Sequence, residues 1–225
     1  MGTVIIMPET VKDPISLIGR CAGVCWGGDI TDPKKNLNRG LSCIRSNHGR
    51  TLEYPDIYAI LDGYSARVIR EWYTHIGGAP TRLQASTRYI NYEKLDMFIP
   101  DSIHNNATAW DAFIDAKKAI QKAYGIMLEA GIPKEDAANI LPLGMTTRIV
   151  DKRNVRNVMD MSRQRMCSRA YHEYRQMFND YLKALSDYSD EWADFVELVM
   201  MPKCEALGYC PEEHSCGRMP KKDEK

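Results

Sequence analysis

The chain has 225 residues, of which 30 are Lys or Arg and 30 are Asp or Glu. The resulting formal charge of zero excludes a protein that binds nucleic acid or anionic membranes through bulk charge. A hydrophobic content of 44% and a charged content of 27% predict a folded chain. No apolar run approaches the ~18 residues of a membrane helix, and the first residues lack the basic start of a secretory signal. We therefore expect a cytoplasmic protein whose seven cysteines are reduced thiols or metal ligands.

The sequence of the first half of the chain predicts short helices and one short strand. A helix is expected over 14–25, followed by a loop-rich stretch over 27–40 because Gly, Asp and Pro recur there. Alternation of apolar residues predicts a strand over 57–61 that ends at Asp62-Gly63. A helix over 65–73 follows, and Gly77-Gly78-Ala79-Pro80 breaks it.

The second half predicts longer helices. A helix over 107–130 closes at Gly131-Ile132-Pro133, which is the usual order of residues after a helix end. A second long helix begins near Asn154 and carries an apolar stripe at spacings of three and four as far as Leu185. We predict an α+β fold: a single compact domain over 1–202 with an antiparallel or mixed sheet and long helices, then an irregular Cys-rich tail over 203–225.

The net charge of zero includes one strongly basic segment and one strongly acidic segment. Between Arg148 and Arg175 there are eight basic and three acidic residues, whereas between Gln176 and Ala206 there are seven acidic and two basic residues. A solvated helix face followed by compensating acids is the ordinary interpretation. An anion site is the alternative, because guanidinium forks suit phosphates and planar acceptors such as a uracil edge.

Two segments carry a family resemblance. The first reads Arg70-Glu71-Trp72-Tyr73-Thr74-His75 and continues at Gln84-Ala85-Ser86-Thr87-Arg88-Tyr89. The second runs from Leu141-Pro142-Leu143 to Ala170-Tyr171-His172-Glu173 and includes Asn154, Arg156 and Arg165. Their order and spacing resemble the flavin-dependent thymidylate synthases over roughly residues 45 to 200. The resemblance implies a homotetramer with shared active sites that makes dTMP from dUMP with FAD, methylene-tetrahydrofolate and NADPH.

The resemblance also implies the substrate-binding residues. They are Arg70, Glu71, Gln84, Ser86, Thr87, Arg88 and Arg165. Ser86 with neighbouring backbone N–H groups and Arg88 suits a phosphate, since several donors and one cation share a tight loop. Arg165, expected in mid-helix, would place its fork against the uracil edge and stabilise negative charge that develops there.

Other positions match those that hold the flavin in the family. They are Glu53, His75, Asn154, Arg156 and Asp160. A helix N-terminus near Asn154 is a good place for a pyrophosphate. The resemblance assigns Ser86, Arg165 and His48 to the catalytic site, with Ser86 as a positioning and polarising group and not a nucleophile, because the cofactor carries the chemistry.

The sequence departs from the family at its most typical motif. An Arg-His-Arg triplet is expected, but the chain reads Thr74-His75-Ile76, and the following loop is about two residues longer. Arg70 and Arg82 are candidates to replace the missing arginines. Glu71 stands where many members have Gln, which leaves hydrogen-bond acceptors only.

Cysteines in the tail suggest a separate site. Cys204, Cys210, His214 and Cys216 form the pattern C-x5-C-x3-H-x-C. Three thiolates and one imidazole suit tetrahedral zinc, although the spacing differs from the usual C-x2-C knuckle. Free thiols and packing are the alternative.

The sequence leaves four hypotheses. The first is a flavin-dependent thymidylate synthase. The second is a divergent member that performs another C5 modification of a pyrimidine nucleotide, and the third is a nucleotide-binding paralogue without catalysis. A basic helix that binds nucleic acid is the fourth and the least favoured, and we expect neither a nucleic acid nor a membrane partner.

Overall fold

The computed structural model describes residues 2–224 and joins an antiparallel four-stranded sheet to many helices. The strands are β1 (Thr3–Ile6), β2 (Asp56–Ser65), β3 (Thr81–Gln84) and β4 (Thr146–Asn154), in the order β1-β2-β4-β3. The α-helices are α1 (Pro14–Cys25), α2 (Pro33–Arg45), α3 (Ala66–Trp72), α4 (Asp101–His104), α5 (Ala107–Glu129), α6 (Lys134–Ala137), α7 (Val155–Arg165), α8 (His172–Tyr188), α9 (Asp190–Val199) and α10 (Lys203–Leu207). Short 3-10 turns lie at Gly49–Glu53, Ala138–Ile140 and Lys222–Glu224. The predicted α+β class and the antiparallel sheet are confirmed.

The chain forms two compact units, each built from more than one segment. The first unit contains Leu61–Thr74 and Leu83–Val150. Its core joins five buried residues: Tyr92, Leu95, Tyr124, Ala137 and Met145. Helix α5 contributes Tyr124 as its one fully buried residue, and its Ile120, Met127 and Leu128 are partly buried against the same core.

The second unit contains Val4–Ile60, His75–Arg82 and the chain from Asp151 onward. Helices α1 and α2 pack on each other, as do α8 and α9. A Cβ atom on Gly19 would stand 1.8 Å from the Asn36 carbonyl oxygen, and one on Gly40 would stand 1.9 Å from that of Ile15. The two helices therefore approach backbone to backbone, and only glycine fits at these crossings.

The prediction of a loop over 27–40 is wrong for its second half, because α2 begins at Pro33. Asp32 caps this helix, since its carboxylate accepts hydrogen bonds from the backbone N–H groups of Lys34 at 2.9 Å and Lys35 at 3.1 Å. Proline is well tolerated at the first helical position. Asp-Pro therefore marks a helix start here, and not a turn.

The single long helix predicted after Asn154 is two helices, α7 and α8. Side chains from elsewhere satisfy backbone carbonyls at the break: Arg218 donates to the carbonyl of Met166 at 3.1 Å, and Arg175 to that of Ser168 at 3.0 Å. These donors replace helical hydrogen bonds. The apolar stripe itself is confirmed, because most of its members are buried on both helices. Arg165 accordingly ends a helix and does not lie in its middle.

Three other predictions need smaller changes. The strand predicted over 57–61 continues through Asp62-Gly63 to Ser65. The tail is mostly irregular, as predicted, but contains the short helix α10. The helices predicted over 14–25, 65–73 and 107–130 are confirmed with ends that agree within one residue.

Candidate functional site

Arg165 lies at the end of α7, where two aromatic rings fix its guanidinium group. Its Nε donates to Nε2 of His75 at 2.9 Å, and its guanidinium carbon lies 4.3 Å from the ring centroid of Tyr174. The rings of His75 and Tyr174 meet edge to face at 6.3 Å. All three residues belong to the second unit. Two of the residues that the sequence analysis singled out, His75 and Arg165, are thus in contact.

His75 is a neutral imidazole at physiological pH. Burial, followed by the positive charges of Arg165 and Arg153, lowers its pKa to about 4. Because Nε2 accepts the hydrogen bond from Arg165, the ring proton resides on Nδ1. His75 is therefore an acceptor that holds a cation in place.

The N-terminus of α7 carries the next group of predicted residues. Asn154 caps the helix, since its side-chain oxygen accepts from the N–H of Asn157 at 2.9 Å. Arg156, in the first turn, donates to Glu53 at 2.8 Å. These three predicted cofactor residues, Glu53, Asn154 and Arg156, lie in the same unit around one helix end.

The remaining predicted residues of this unit are His48 and Asp160. His48 is exposed and precedes the 3-10 turn that contains Glu53. Asp160 is exposed one turn after Arg156. Partial desolvation of its carboxyl nevertheless raises the pKa of Asp160, and the nearby Arg156 and Arg163 oppose that rise.

A buried ion pair supports α7, and sequence reasoning missed it. Arg153 and Asp151 are both fully buried and bond in a two-point arrangement at 2.5 and 2.8 Å. Arg153 also donates to Asn157 at 2.6 Å. The only sequence signal was alternation along β4, where Thr147, Ile149, Asp151 and Arg153 point inward. Because charged residues occupy two of these inward positions, the sequence lacks the apolar alternation that predicts a strand.

In the first unit, Ser86 starts a tight turn. Its hydroxyl accepts from the backbone N–H of Arg88 at 3.3 Å, while its carbonyl accepts from Tyr89 and Ile90 at 3.1 Å each. The Arg88 side chain is exposed and lies 5.4 Å from the Tyr89 ring centroid. The predicted combination of a hydroxyl, a turn and a cation is thus present in this loop.

The other predicted substrate residues of this unit are less constrained. Gln84 is exposed and donates to Thr147 at 3.3 Å. Arg70 is exposed in the last turn of α3, Glu71 beside it is half-buried, and Thr87 is half-buried in the Ser86 turn.

Comparison with known proteins identifies the family. Residues 7–188 match the family model described as thymidylate synthase complementing protein. The flavin-dependent thymidylate synthase of Pyrococcus abyssi is 30% identical over 80% of this chain and 74% of its own length. The enzymes of that name from Nitratidesulfovibrio vulgaris and Clostridium tetani are 28% and 24% identical over 92% and 97% of this chain, and over 91% and 94% of their own lengths.

The chain belongs to the flavin-dependent thymidylate synthase family. The resemblance inferred from the two motif segments is confirmed at this level. No helix among residues 2–224 has the length and apolar character needed to span a membrane.

The two neighbours of His75 lie at the surface. Thr74 is exposed, and its hydroxyl donates to the carbonyl of Glu71 at 2.7 Å. Ile76 is 70% exposed.

The predicted zinc ligands do not assemble a metal site. Cys204, Cys210, His214 and Cys216 all line one cavity of the second unit. Within residues 2–224, however, no three His, Cys, Asp or Glu side chains converge as metal ligands would. The cysteines are free thiols, so of the two readings of the pattern the structure favours thiols.

Proposed function

We propose that the protein catalyses the FAD-dependent methylation of dUMP to dTMP, with methylene-tetrahydrofolate and NADPH as co-substrates. Family membership supports the reaction class. The observation that carries the proposal for this chain is the arrangement of Arg165, whose guanidinium is held by His75 and Tyr174. A pre-oriented planar cation suits the planar acceptor edge of uracil.

Arg165 would act on the reaction through charge. Its guanidinium is fixed before substrate binds, so stabilising negative charge on the uracil ring costs little reorganisation. His75 remains neutral near pH 7 and therefore does not repel Arg165. We assign Arg165 to catalysis and His75 to positioning Arg165.

The N-terminus of α7 fits a flavin nucleotide. Here the backbone of Gly78 packs so closely that an added Cβ would stand 2.2 Å from the amide nitrogen of Asn154. The Asn154 amide thus lies against bare backbone, and the Arg156 cation lies in the first turn of the same helix. Asn154 and Arg156 would hold the pyrophosphate of FAD, with Glu53 orienting Arg156, and Asp160 and His48 would lie towards the flavin and folate. When bound and reduced, the flavin would supply a hydride to the uracil ring and take part in carrying the one-carbon unit of the folate.

We assign the phosphate of dUMP to the Ser86 turn. Ser86 and Thr87 offer hydroxyls, and the exposed Arg88 offers a cation from the same turn. Gln84, Arg70 and Glu71 would contact the nucleoside. Positioning through several donors is the kind of binding that a dianionic phosphate requires.

A homotetramer in the cytoplasm completes the proposal. Helix α5 is 23 residues long but buries only Tyr124 in its own unit, and Ile126 on it is 54% exposed. Such an open helix is suited to packing against another copy of the chain.

One observation favours a second candidate. Thr74 and Ile76 remove two cations that flank the histidine in other family members, which supports a divergent enzyme that performs another C5 modification of a pyrimidine nucleotide, or a paralogue that only binds the nucleotide.

The test is turnover with purified protein, dUMP, methylene-tetrahydrofolate, NADPH and added FAD. Formation of dTMP that depends on all four components is the expected result. NADPH oxidation that depends on dUMP but yields a different C5-modified product would favour the divergent enzyme. Binding of dUMP without any turnover would favour the paralogue.

A further inference from the structure

A cavity of about 490 Å³ in the second unit combines two kinds of chemistry that the proposed reaction does not use together. It is formed by the last residues of α7, Arg163 to Arg165, by the turn between α7 and α8, and by the C-terminal segment from Pro202 to Arg218. Its volume falls in the range of small-molecule sites, roughly 300–1,000 Å³.

The lining is strongly cationic. Five basic side chains reach it, whereas Glu212 is the single acid. Glu212 is already engaged by Arg169 at 2.6 Å. The Nη1 atom of Arg163 is shielded from solvent and has no hydrogen-bond partner among the described residues. The cavity therefore favours an anionic occupant, because basic side chains outnumber acidic ones on its lining.

The same cavity collects four of the seven cysteines, Cys167, Cys204, Cys210 and Cys216, all as free thiols. Cys204 and Cys210 lie close enough for their charges to interact. Cys216 is the exposed member, whereas Cys210 is buried and the other two are partly covered. A reagent that enters the cavity therefore meets Cys216 first.

The surroundings of Cys216 favour a nucleophilic sulfur. Its sulfur accepts a hydrogen bond from the Ser168 side chain and a second from the backbone of Arg218. The Ser168 hydrogen bond, the Arg218 backbone hydrogen bond and the Arg218 charge lower the pKa of the Cys216 thiol. Thiolates and not thiols attack disulfides.

We propose that Cys216 is a modification site that undergoes thiol–disulfide exchange with an anionic low-molecular-weight disulfide of the glutathione disulfide type. The cationic lining attracts the carboxylates of the reagent, and Cys216 supplies the nucleophile. Arg165, assigned above to the uracil edge, is one of the five basic lining residues, but Cys216 has no role in the proposed methylation and its exchange does not require that reaction.

The exchange balances without any further reactant. The Cys216 thiolate attacks one sulfur of the disulfide, and a new S–S bond forms to that sulfur. The original S–S bond breaks, and the other half leaves as a thiolate that takes a proton from solvent. Cys216 is oxidised to a mixed disulfide, while the other half of the reagent is reduced to a thiol.

The test uses the full-length protein and three disulfides: oxidised glutathione as the anion, 2-hydroxyethyl disulfide as the neutral reagent and cystamine as the dication. Peptide mapping by mass spectrometry gives the extent of modification at Cys216 and at Cys25. Cys25 is also exposed and free but lies on α1, outside the cavity lining. It therefore corrects for the intrinsic reactivity of each reagent.

We expect the ratio of Cys216 to Cys25 modification to be about tenfold higher with oxidised glutathione than with cystamine at low salt. The difference should shrink in high salt, because screening weakens attraction between charges. Arg218→Gln and Ser168→Ala should each lower the ratio for oxidised glutathione, whereas Arg45→Gln, at the exposed end of α2, should leave it unchanged.

Equal or higher ratios with cystamine would overturn the proposal. So would the absence of an adduct on Cys216, whether Cys25 reacts instead or the cavity thiols pair with one another. The wild-type comparison of the three reagents decides these outcomes even if a variant fails to fold, and none of them depends on methylation activity.

Discussion

Arg165 and His75 lie 90 residues apart in the chain and meet through a hydrogen bond of 2.9 Å from Nε to Nε2. This bond requires a neutral histidine, because a protonated ring has no acceptor nitrogen. The burial that lowers the pKa of His75, together with the charge of Arg165 itself, maintains that state. The pair gives His75 a structural role that requires neither of its neighbours, Thr74 and Ile76.

The first prediction concerns the protonation of His75. In a ¹H–¹³C NMR titration, its ring signals should shift with a midpoint near pH 4, because burial and two arginines lower its pKa to about 4. His75→Asn identifies the signal among the five histidines. A midpoint at or above pH 6.5 would contradict the assigned hydrogen bond.

The same shift links stability to pH. Between pH 6.5 and about 4 the unfolded chain binds a proton at this position that the folded chain does not, so stability falls as the pH is lowered through this window. Urea unfolding at several pH values should give a smaller loss for His75→Asn than for the wild type. Identical pH profiles would mean that His75 does not contribute.

The second prediction tests the planar guanidinium group of Arg165 as a contact for uracil. Arg165→Lys keeps the charge but loses the planar group and its Nε–H, so dUMP affinity should fall about tenfold or more. Arg169→Lys is the matched control, since Arg169 is nearby in the chain but forms an exposed pair with Glu212. Isothermal titration calorimetry should find the control within about twofold of wild type. Equal effects of the two changes would argue against a uracil contact by Arg165.

The third prediction separates two roles of Asn154. Asn154→Ala removes the helix cap and should cost about 1 kcal/mol of unfolding free energy. Asn154→Ser restores a capping oxygen but not the amide, so it should recover stability while FAD affinity stays reduced. Thermal unfolding and fluorescence titration with FAD measure the two quantities. If FAD affinity recovers together with stability in the serine variant, Asn154 serves only as a cap.

The fourth prediction addresses the altered triplet. Because Ile76 is 70% exposed, Ile76→Arg should change the unfolding free energy by no more than about 0.5 kcal/mol. The added cation should tighten FAD or dUMP binding by up to about tenfold. Ile76→Gln has similar polarity without the charge and serves as the control. A gain shared by the glutamine variant would show that polarity and not the cation is responsible.

The fifth prediction concerns the buried pair under α7. Asp151→Asn leaves the Arg153 charge uncompensated where both side chains are fully buried, and should cost about 3–5 kcal/mol. Asp187→Asn breaks the exposed pair with Lys183 and should cost under about 1 kcal/mol. Chemical unfolding of the two variants measures this contrast, and similar losses would contradict the account of the pair.

Much of the fold follows from local signals. Pro14 begins α1, and Gly131 ends α5 with a backbone φ of 81° that suits glycine. The apolar stripe of α7 and α8 was correct, but their division was not, because the donors that replace the helical bonds come from Arg175 and Arg218. Arg218 lies 52 residues from Met166 in the chain, so its contribution leaves no pattern in the local sequence.

The candidate site was predictable only in part. Motif resemblance identified His75, Asn154 and Arg165, but composition could not pair His75 with Arg165 across 90 positions. Strand β4 escaped detection because Asp151 and Arg153 occupy inward positions that alternation assigns to apolar residues. The two charges neutralise each other, which allows both side chains to be buried. This pairing is visible only in the three-dimensional structure.

The decisive experiment is the visible absorption spectrum of the purified protein with added FAD, recorded before and after adding dUMP. We expect FAD to remain bound after desalting and dUMP to shift the flavin band, because the proposed function places both nucleotides at elements around α7. Protein that emerges colourless and takes up no added FAD would contradict it.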